Sequence, residues 1–114
     1  MPFDSSPLEA PLAEIERDLA ILRRAREGIA QPGGWCQGFG TKGSAHCVMG
    51  WVSVASEFGV CQSNGFADRV LVPELPPRWA RGFNIVEFND CRGRKQAEVV
   101  ALFDRAIARL ERSV

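Results

Sequence analysis

The sequence lacks an excess of either charge. Its 14 Lys and Arg residues balance 14 Asp and Glu residues, so the formal net charge is zero. Proteins that bind nucleic acids or membrane surfaces through general electrostatics carry a basic excess. We therefore predict no nucleic-acid partner. Zero net charge also weakens the repulsion between copies, so a homo-oligomer stays open as an alternative to a monomer.

Long apolar runs and a leader segment are also missing. No uninterrupted apolar stretch approaches the roughly 18 residues of a membrane-spanning helix, and the first six residues show neither a basic region nor an apolar region. We therefore expect no membrane partner and a cytoplasmic location. Cysteines stay reduced in the cytoplasm, so we expect no disulfide.

Metal-ligating residues are few. The single histidine, His46, and three of the four cysteines (Cys36, Cys47 and Cys61) offer nitrogen and sulfur ligands for zinc. Structural zinc sites pair their ligands at short spacing, and the chain contains no Cys-x-x-Cys pair. We expect neither a bound metal nor a cofactor.

Helical periodicity is what the sequence does contain. Apolar residues recur at steps of three and four residues, which indicates amphipathic helices. The predicted helices run from Pro11 to the Pro32-Gly33-Gly34 stop, from an N-cap at Ser44 to Phe58, from Phe66 to about Val72, and from Lys95 to Arg112. The segment from Phe83 to Phe88 alternates imperfectly and is interpreted as a loop.

These helices predict an all-α fold, a compact bundle of about four helices with long loops. A chain of 114 residues has room for one ordinary domain. We assign residues 1–10 to a loose N-terminal lead-in and residues 11–114 to a single helical domain.

The segment from Gly33 to Trp51 concentrates unusual residues. Two of the three tryptophans, two of the four cysteines and the only histidine fall between Trp35 and Trp51. The Gly-rich loop that carries Trp35 is either a binding loop with the indole as its platform or a loop anchored in the core by that indole. Its N–H needs a partner, which Gln37 or Asn89 would supply.

Cys47 is the candidate nucleophile. It is expected about one turn into the second helix, where peptide N–H groups stabilise a thiolate. The neighbouring His46 points about 100° away around a helix, so it suits Cys36 better as a base, with Asn89 or Asp90 as the orienting group. The alternative is that Cys47 is a small core residue in apolar surroundings.

A polar turn precedes the last helix. Asn89 and Asp90 form either an Asx turn or one wall of a polar pocket. Arg92 and Arg94 flank Gly93 at the start of that helix, where they either bind an anion or form a solvated turn. We predict that Trp35, Cys47 and Asn89 meet at the start of the second helix.

Three spaced motifs resemble an uncharacterised small-domain family of actinobacteria and their phages. They are Trp35-x-Gln37-Gly38, Cys47-x-x-Gly50, and Phe88-Asn89-Asp90-x-x-Gly93-Arg94-x-x-x-Glu98-Val99. The resemblance spans roughly Leu19 to Ala108. It implies a shared fold and marks Trp35, Cys47, Asn89 and Asp90, but it implies no reaction. Two residues depart from the pattern: Lys95 replaces a Thr that would cap the last helix, and Trp51 replaces a small residue.

The combined patterns favour a small protein-interaction or regulatory module that binds a protein partner through Trp35, Gln37, Arg92 and Arg94. The alternative is a cysteine-dependent acyl-transfer or hydrolase enzyme that uses Cys47 or Cys36 with His46 and Asn89 or Asp90.

Overall fold

The computed structural model describes residues 9–38, 41–56, 60–77 and 85–114. Within these ranges the chain forms five α-helices: α1 (Glu9–Ala30), α2 (Val48–Ser56), α3 (Val60–Val70), α4 (Ile85–Asp90) and α5 (Gln96–Glu111). A 3-10 turn spans Val72–Glu74, and a two-residue antiparallel ladder joins β1 (Thr41–Lys42) to β2 (Ala45–His46). The predicted all-α class is confirmed. None of the described helices is both long enough and apolar enough to cross a membrane.

The two long helices, α1 and α5, agree with the sequence pattern. α1 begins at Glu9, two residues earlier than predicted, and ends at Ala30 before the expected stop. α5 is bounded by Lys95 and Arg112 as its capping residues. α1 packs on both α5 and α2. The apolar stripes of the two long helices supply much of one continuous core, including Leu19, Leu22, Ala25, Ile29, Val99, Leu102, Phe103, Ala106 and Leu110. Residues 1–8 lie outside the described residues, so the predicted lead-in stays a prediction.

Polar groups tie the end of α1 to the start of α5. Gln96 Nε2 donates to the carbonyls of Ile29 and Gln31 at 2.5 and 2.8 Å. The last carbonyls of a helix have no partner within it, so this side chain satisfies the Ile29 carbonyl, which α1 leaves open. Ion pairs between Arg26 and Asp104 and between Arg23 and Glu111 continue the contact, but they are exposed, and such pairs stabilise a fold only weakly.

The N-terminus of α5 has one of the two hydrogen bonds of a capping box. Glu98 accepts the Lys95 backbone N–H at 2.8 Å. The reciprocal bond needs an acceptor on the capping side chain, and the Lys95 ammonium group has none. Lys95 therefore leaves this cap with one of the two bonds that a Thr at the same position would allow. The Lys95 N–H, with help from Arg94, holds the pKa of the Glu98 carboxyl below its usual value.

The predicted start of α2 is wrong. Ser44 is not its N-cap, because Ala45 and His46 form β2, and α2 begins at Val48. Gly43 has a φ of +64°, which turns the chain back so that β2 can pair with β1. The predicted end at Phe58 lies outside the described residues.

Two further boundaries differ from the sequence prediction. α3 begins at Val60, six residues before the expected Phe66, because the run from Gln62 to Gly65 in its first two turns shows no apolar stripe. The loop predicted up to Phe88 is wrong from Ile85 onward, where α4 forms. Ile85 and Phe88 lie three residues apart and are both buried, so tertiary packing selects a helix that six residues would not form alone. Trp79 and Phe83 lie outside the described residues.

One charged group is buried among the described residues. Asp18 of α1 is 3% exposed, and both of its carboxylate oxygens accept from the Arg69 guanidinium of α3, the shorter bond being 2.5 Å. Arg69 remains half exposed and also lies over the Phe66 ring. A buried carboxylate needs a charged partner, and this pair links α3 to α1.

Gly28 allows α2 to approach α1. A Cβ atom on Gly28 would overlap the benzo ring of Trp51, which rests directly on the α1 backbone. The Trp51 indole N–H then donates to the Gly34 carbonyl at 2.6 Å, just beyond the end of α1. Gly28 therefore lowers the intrinsic stability of α1, but its missing side chain leaves the space that the Trp51 ring occupies.

We predict that Gly28→Ala destabilises the protein. Alanine favours a helix by about 1 kcal/mol over glycine, but forcing a side chain into a filled space costs about 1–3 kcal/mol. We expect a net loss of roughly 1–2 kcal/mol in the free energy of unfolding, measured by urea titration.

The matched control is the same change made in a Trp51→Ala background. With the ring absent, Gly28→Ala should become stabilising by about 0.5–1 kcal/mol. A loss of stability in both backgrounds would contradict the packing of Trp51 on Gly28.

Candidate functional site

The segment from Gly34 to Gln37 runs alongside β2. The His46 N–H donates to the Gly34 carbonyl at 3.1 Å, and the Cys36 N–H donates to the His46 carbonyl at 3.2 Å. These two bonds make a parallel bridge between Trp35 and His46. Gly33 and Gly38, with φ values of +70° and +89°, turn the chain at the two ends. We call residues 34–37 the bridge segment.

Asn89, at the end of α4, joins the bridge segment to α2. Its Oδ1 accepts the indole N–H of Trp35 at 2.7 Å and the backbone N–H of Val48 at 3.1 Å. Val48 is the first residue of α2, whose N–H has no partner within the helix. The amide oxygen therefore satisfies an anchoring tryptophan and a helix terminus together.

The other half of the Asn89 amide completes the network. Nδ2 donates to the Cys36 carbonyl at 3.2 Å and to Asp90 Oδ1 at 2.8 Å. Asn89 is 1% exposed, and all four of its side-chain hydrogen-bonding positions are occupied. Two donors surround one end of the amide and two acceptors the other, so its orientation is unambiguous. We call these contacts the Asn89 network.

Gln37 and Asp90 close the outer side of the Asn89 network. Gln37 Nε2 donates to the carbonyls of Asn89 and Cys91 at 3.0 and 2.8 Å. Asp90 Oδ1 also accepts the Gly38 N–H at 2.8 Å. Both side chains thus tie the bridge segment to the end of α4, and both residues are exposed to solvent at the same time.

Cys47 is the N-cap of α2, and the expectation that it lies one turn inside the helix is wrong. Its carbonyl accepts the Trp51 N–H at 2.9 Å, and its Sγ accepts the Gly50 N–H at 3.4 Å. These are the two bonds that an N-cap residue makes. Trp35, Cys47 and Asn89 therefore do meet at the start of α2, as predicted. The Cys47 thiol is buried there, with the residue 7% exposed.

His46 faces Trp51. Their ring centroids are 4.7 Å apart in an edge-to-face arrangement. Asn89 has no side-chain group left to orient a histidine, because each is used in the Asn89 network. The catalytic roles proposed for Cys47, Cys36, His46, Asn89 and Asp90 stay predictions.

The two arginines of the predicted binding cluster differ in environment. Arg94 has a side chain only 12% exposed; its Nε donates to the Phe88 carbonyl at 2.8 Å, and its guanidinium lies 3.8 Å from the Phe88 ring centre. A second nitrogen pairs with Glu98. Arg94 therefore packs on Phe88 near the C-terminal end of α4, whereas Arg92 is exposed. Their predicted role in binding a partner stays a prediction.

Trp51 is a candidate binding residue that the sequence analysis did not single out. It is partly exposed and lies beside His46, which is bridged to the partly exposed Trp35. We call Trp35, His46 and Trp51 the aromatic patch. The available signal was that Trp51 stands where the family pattern has a small residue.

Metal ligands, thiols and cavities are the remaining chemical features to describe. Among the described residues, no group of three or more His, Cys, Asp or Glu side chains is placed to hold a metal ion. Cys36, Cys47 and Cys91 are free thiols. A shallow groove of about 340 Å³ lies between α1 and α5, over Ala30, Gln96, Ala97, Val100, Ala101 and Asp104, away from the Asn89 network.

We predict that Asn89→Ala lowers the free energy of unfolding by roughly 3 kcal/mol, because several buried groups lose their hydrogen-bond partners at once. The matched control is Gln37→Ala, which removes exposed bonds to the same turn and should cost about 1 kcal/mol or less. Urea unfolding followed by circular dichroism measures both. Equal losses in the two variants would mean that the Asn89 network does not hold the site together.

A second prediction concerns Cys47, which both caps α2 and fills buried space. Cys47→Ala should cost about 1–2 kcal/mol in unfolding free energy, since the N-cap bond is lost and a small cavity forms. Cys47→Ser should cost less, because serine is a preferred N-cap residue. Thermal unfolding of the two variants side by side provides the comparison.

Iodoacetamide labelling of the folded protein then tests reactivity. We expect Cys47 to react more slowly than the partly exposed Cys36 and Cys91, because its thiol is covered and occupied at the N-cap. Selective, fast labelling of Cys47 would instead favour the cysteine-dependent enzyme.

Comparison with known proteins identifies a family without assigning a reaction. No curated protein and no solved structure shows significant similarity to the chain. A model of a family of unknown function, DUF6197, matches residues 14–109. This match covers α2, α3 and α4, most of α1 and α5, and the whole Asn89 network, so the chain belongs to the DUF6197 family.

Proposed function

We propose that this protein is a small interaction module that binds a protein partner through the aromatic patch. The observation that carries the proposal is that Trp35, His46 and Trp51 are all partly exposed and are linked through His46, whose ring contacts Trp51 and whose backbone bridges Trp35. Tryptophan is among the residues most enriched at the energetic centres of protein interfaces. Met49, which is also partly exposed, follows Val48 at the start of α2 and adds an adaptable apolar side chain nearby.

Rigidity supports this use of the aromatic patch. Trp35 is held by Asn89, and Trp51 is held between Gly28 and the Gly34 carbonyl. Side chains that are already ordered lose little conformational entropy when a partner binds. The hydrogen bonds that stabilise the fold would therefore also prepare the surface for binding.

The partner's chemistry follows from the indole groups. Both indole N–H groups donate inside the protein, to Asn89 and to the Gly34 carbonyl. The exposed parts of the two tryptophans are then carbon and π surface. We infer a partner that places apolar side chains on the aromatic patch, in the cytoplasm.

The cysteine-dependent enzyme has less support. A nucleophile needs an accessible thiol and a base held by an orienting group. Cys47 is buried and bonded to the Gly50 N–H, and the Asn89 amide is fully engaged elsewhere. No observation on the described residues favours this alternative over an interaction module.

Photo-crosslinking tests the proposed function. Benzoylphenylalanine is placed at Ser44, an exposed residue two positions before His46, and separately at Ala108, an exposed residue of α5. Ala108 is the control position. It lies twelve residues, or about 18 Å along α5, from Gln96, whose side chain bonds to Gln31 shortly before the bridge segment. Irradiation of cells that produce each variant should give a discrete adduct from position 44 and none from position 108.

The adduct's composition identifies the partner. A mass equal to two copies of the chain would make the partner a second copy, whereas any other discrete mass would indicate a different protein. Absence of adducts from position 44, or equal adducts from both positions, would refute binding through the aromatic patch.

A further inference from the structure

We propose that the partner of the aromatic patch is an extended peptide segment that pairs, as an added β-strand, with the main chain of Trp35. This inference rests on the proposed function and specifies the partner's backbone conformation. Its support comes from the main chain of Trp35, which lies in the bridge segment between the two groups that bond to β2.

The parallel bridge determines which edge is occupied. The Gly34 carbonyl and the Cys36 N–H both bond to His46 and therefore point towards β2. Backbone groups of successive residues in an extended chain point to opposite edges. The N–H and carbonyl of Trp35 must then point to the edge away from β2.

Neither of these two groups of Trp35 bonds to any part of the chain that the structure describes. The only hydrogen bond of Trp35 there is the one from its indole N–H to Asn89. By contrast, the carbonyl of the next residue, Cys36, accepts from Asn89 Nδ2. Backbone polar groups in folded proteins nearly always have a partner, and an open strand edge is a template for another chain.

The geometry also limits the length of the pairing. Gly33 and Gly38 turn the chain away at positive φ at both ends of the bridge segment. A peptide can therefore form one donor and one acceptor bond with Trp35 before the edge ends. Such a short edge gives little affinity by its main chain alone, so the aromatic patch must supply the rest through apolar side chains of the peptide. Recognition would thus require an extended backbone with an apolar residue opposite Trp35.

The probe is a peptide selected from a phage-displayed library of random 12-residue sequences on the immobilised full-length protein. Amide hydrogen exchange, followed by NMR with the peptide at saturation, reports on the new bond. The Trp35 amide should exchange at least about tenfold more slowly, as expected for a newly formed main-chain hydrogen bond. The amides of Cys36 and His46 are already bonded and serve as internal controls that should change much less.

Single N-methylation of the peptide provides the matching test. A methyl group on the one peptide nitrogen that donates to the Trp35 carbonyl should weaken binding about tenfold or more. Methylation of the next nitrogen, which points to the other edge, should change binding less than threefold.

The outcomes distinguish this inference from the proposed function. A peptide that binds the aromatic patch without slowing Trp35 exchange refutes strand pairing and leaves the interaction module standing. Failure to select any peptide also refutes strand pairing, while crosslinks from position 44 independently decide whether a protein partner exists. Slowed Trp35 exchange together with a single sensitive nitrogen would establish the pairing.

Discussion

The amide of Asn89 is the interaction on which the rest of the site depends. It joins three segments that are distant in sequence: the bridge segment, the start of α2 and the end of α4. Each of its partners is a group that secondary structure leaves open, such as the first N–H of a helix or an indole N–H. A buried asparagine with four partners tolerates little displacement, because any shift leaves a buried donor or acceptor without a hydrogen-bond partner. The bridge segment is thereby fixed to both α2 and α4.

α1 provides the platform on which this arrangement is built. Its buried face packs on α2 and α5, Asp18 pairs with α3, and Gly28 receives Trp51. The backbone of α1 and of the turn that follows it also supplies acceptors to other elements, at Ile29 and Gln31 for Gln96 and at Gly34 for Trp51. A single helix therefore positions both long-range packing and the aromatic patch. This explains how a chain with no metal cluster among its described residues can hold an extended surface loop in place.

Features local to one helix were predictable, whereas most features that depend on pairing between segments were not. The stripes of α1 and α5 could be found from periodicity, and Asn89 was correctly considered as a partner for the Trp35 indole. The start of α2 was misplaced at Ser44 because serine is a strong capping residue in isolation, whereas pairing of β2 with β1 extends the chain there. α4 was taken as a loop because its two buried residues, Ile85 and Phe88, carry too little periodicity in six residues. Arg94 appeared as a surface cation because a sequence does not show which aromatic ring a guanidinium will cover.

The sequence by itself determined the all-α class, the two long helices and the crowding of tryptophan, cysteine and histidine between Trp35 and Trp51. These follow from periodicity and composition, which are local properties of the chain. Only the tertiary structure decided that Cys47 caps α2 and that Asn89 is saturated. It also decided that the N–H and carbonyl of Trp35 have no partner within the part of the chain that the structure describes. The physical reason is that a hydrogen-bonding group has no assigned partner until distant segments pack together. Whether a polar residue stabilises the fold or remains available for binding is therefore decided by packing.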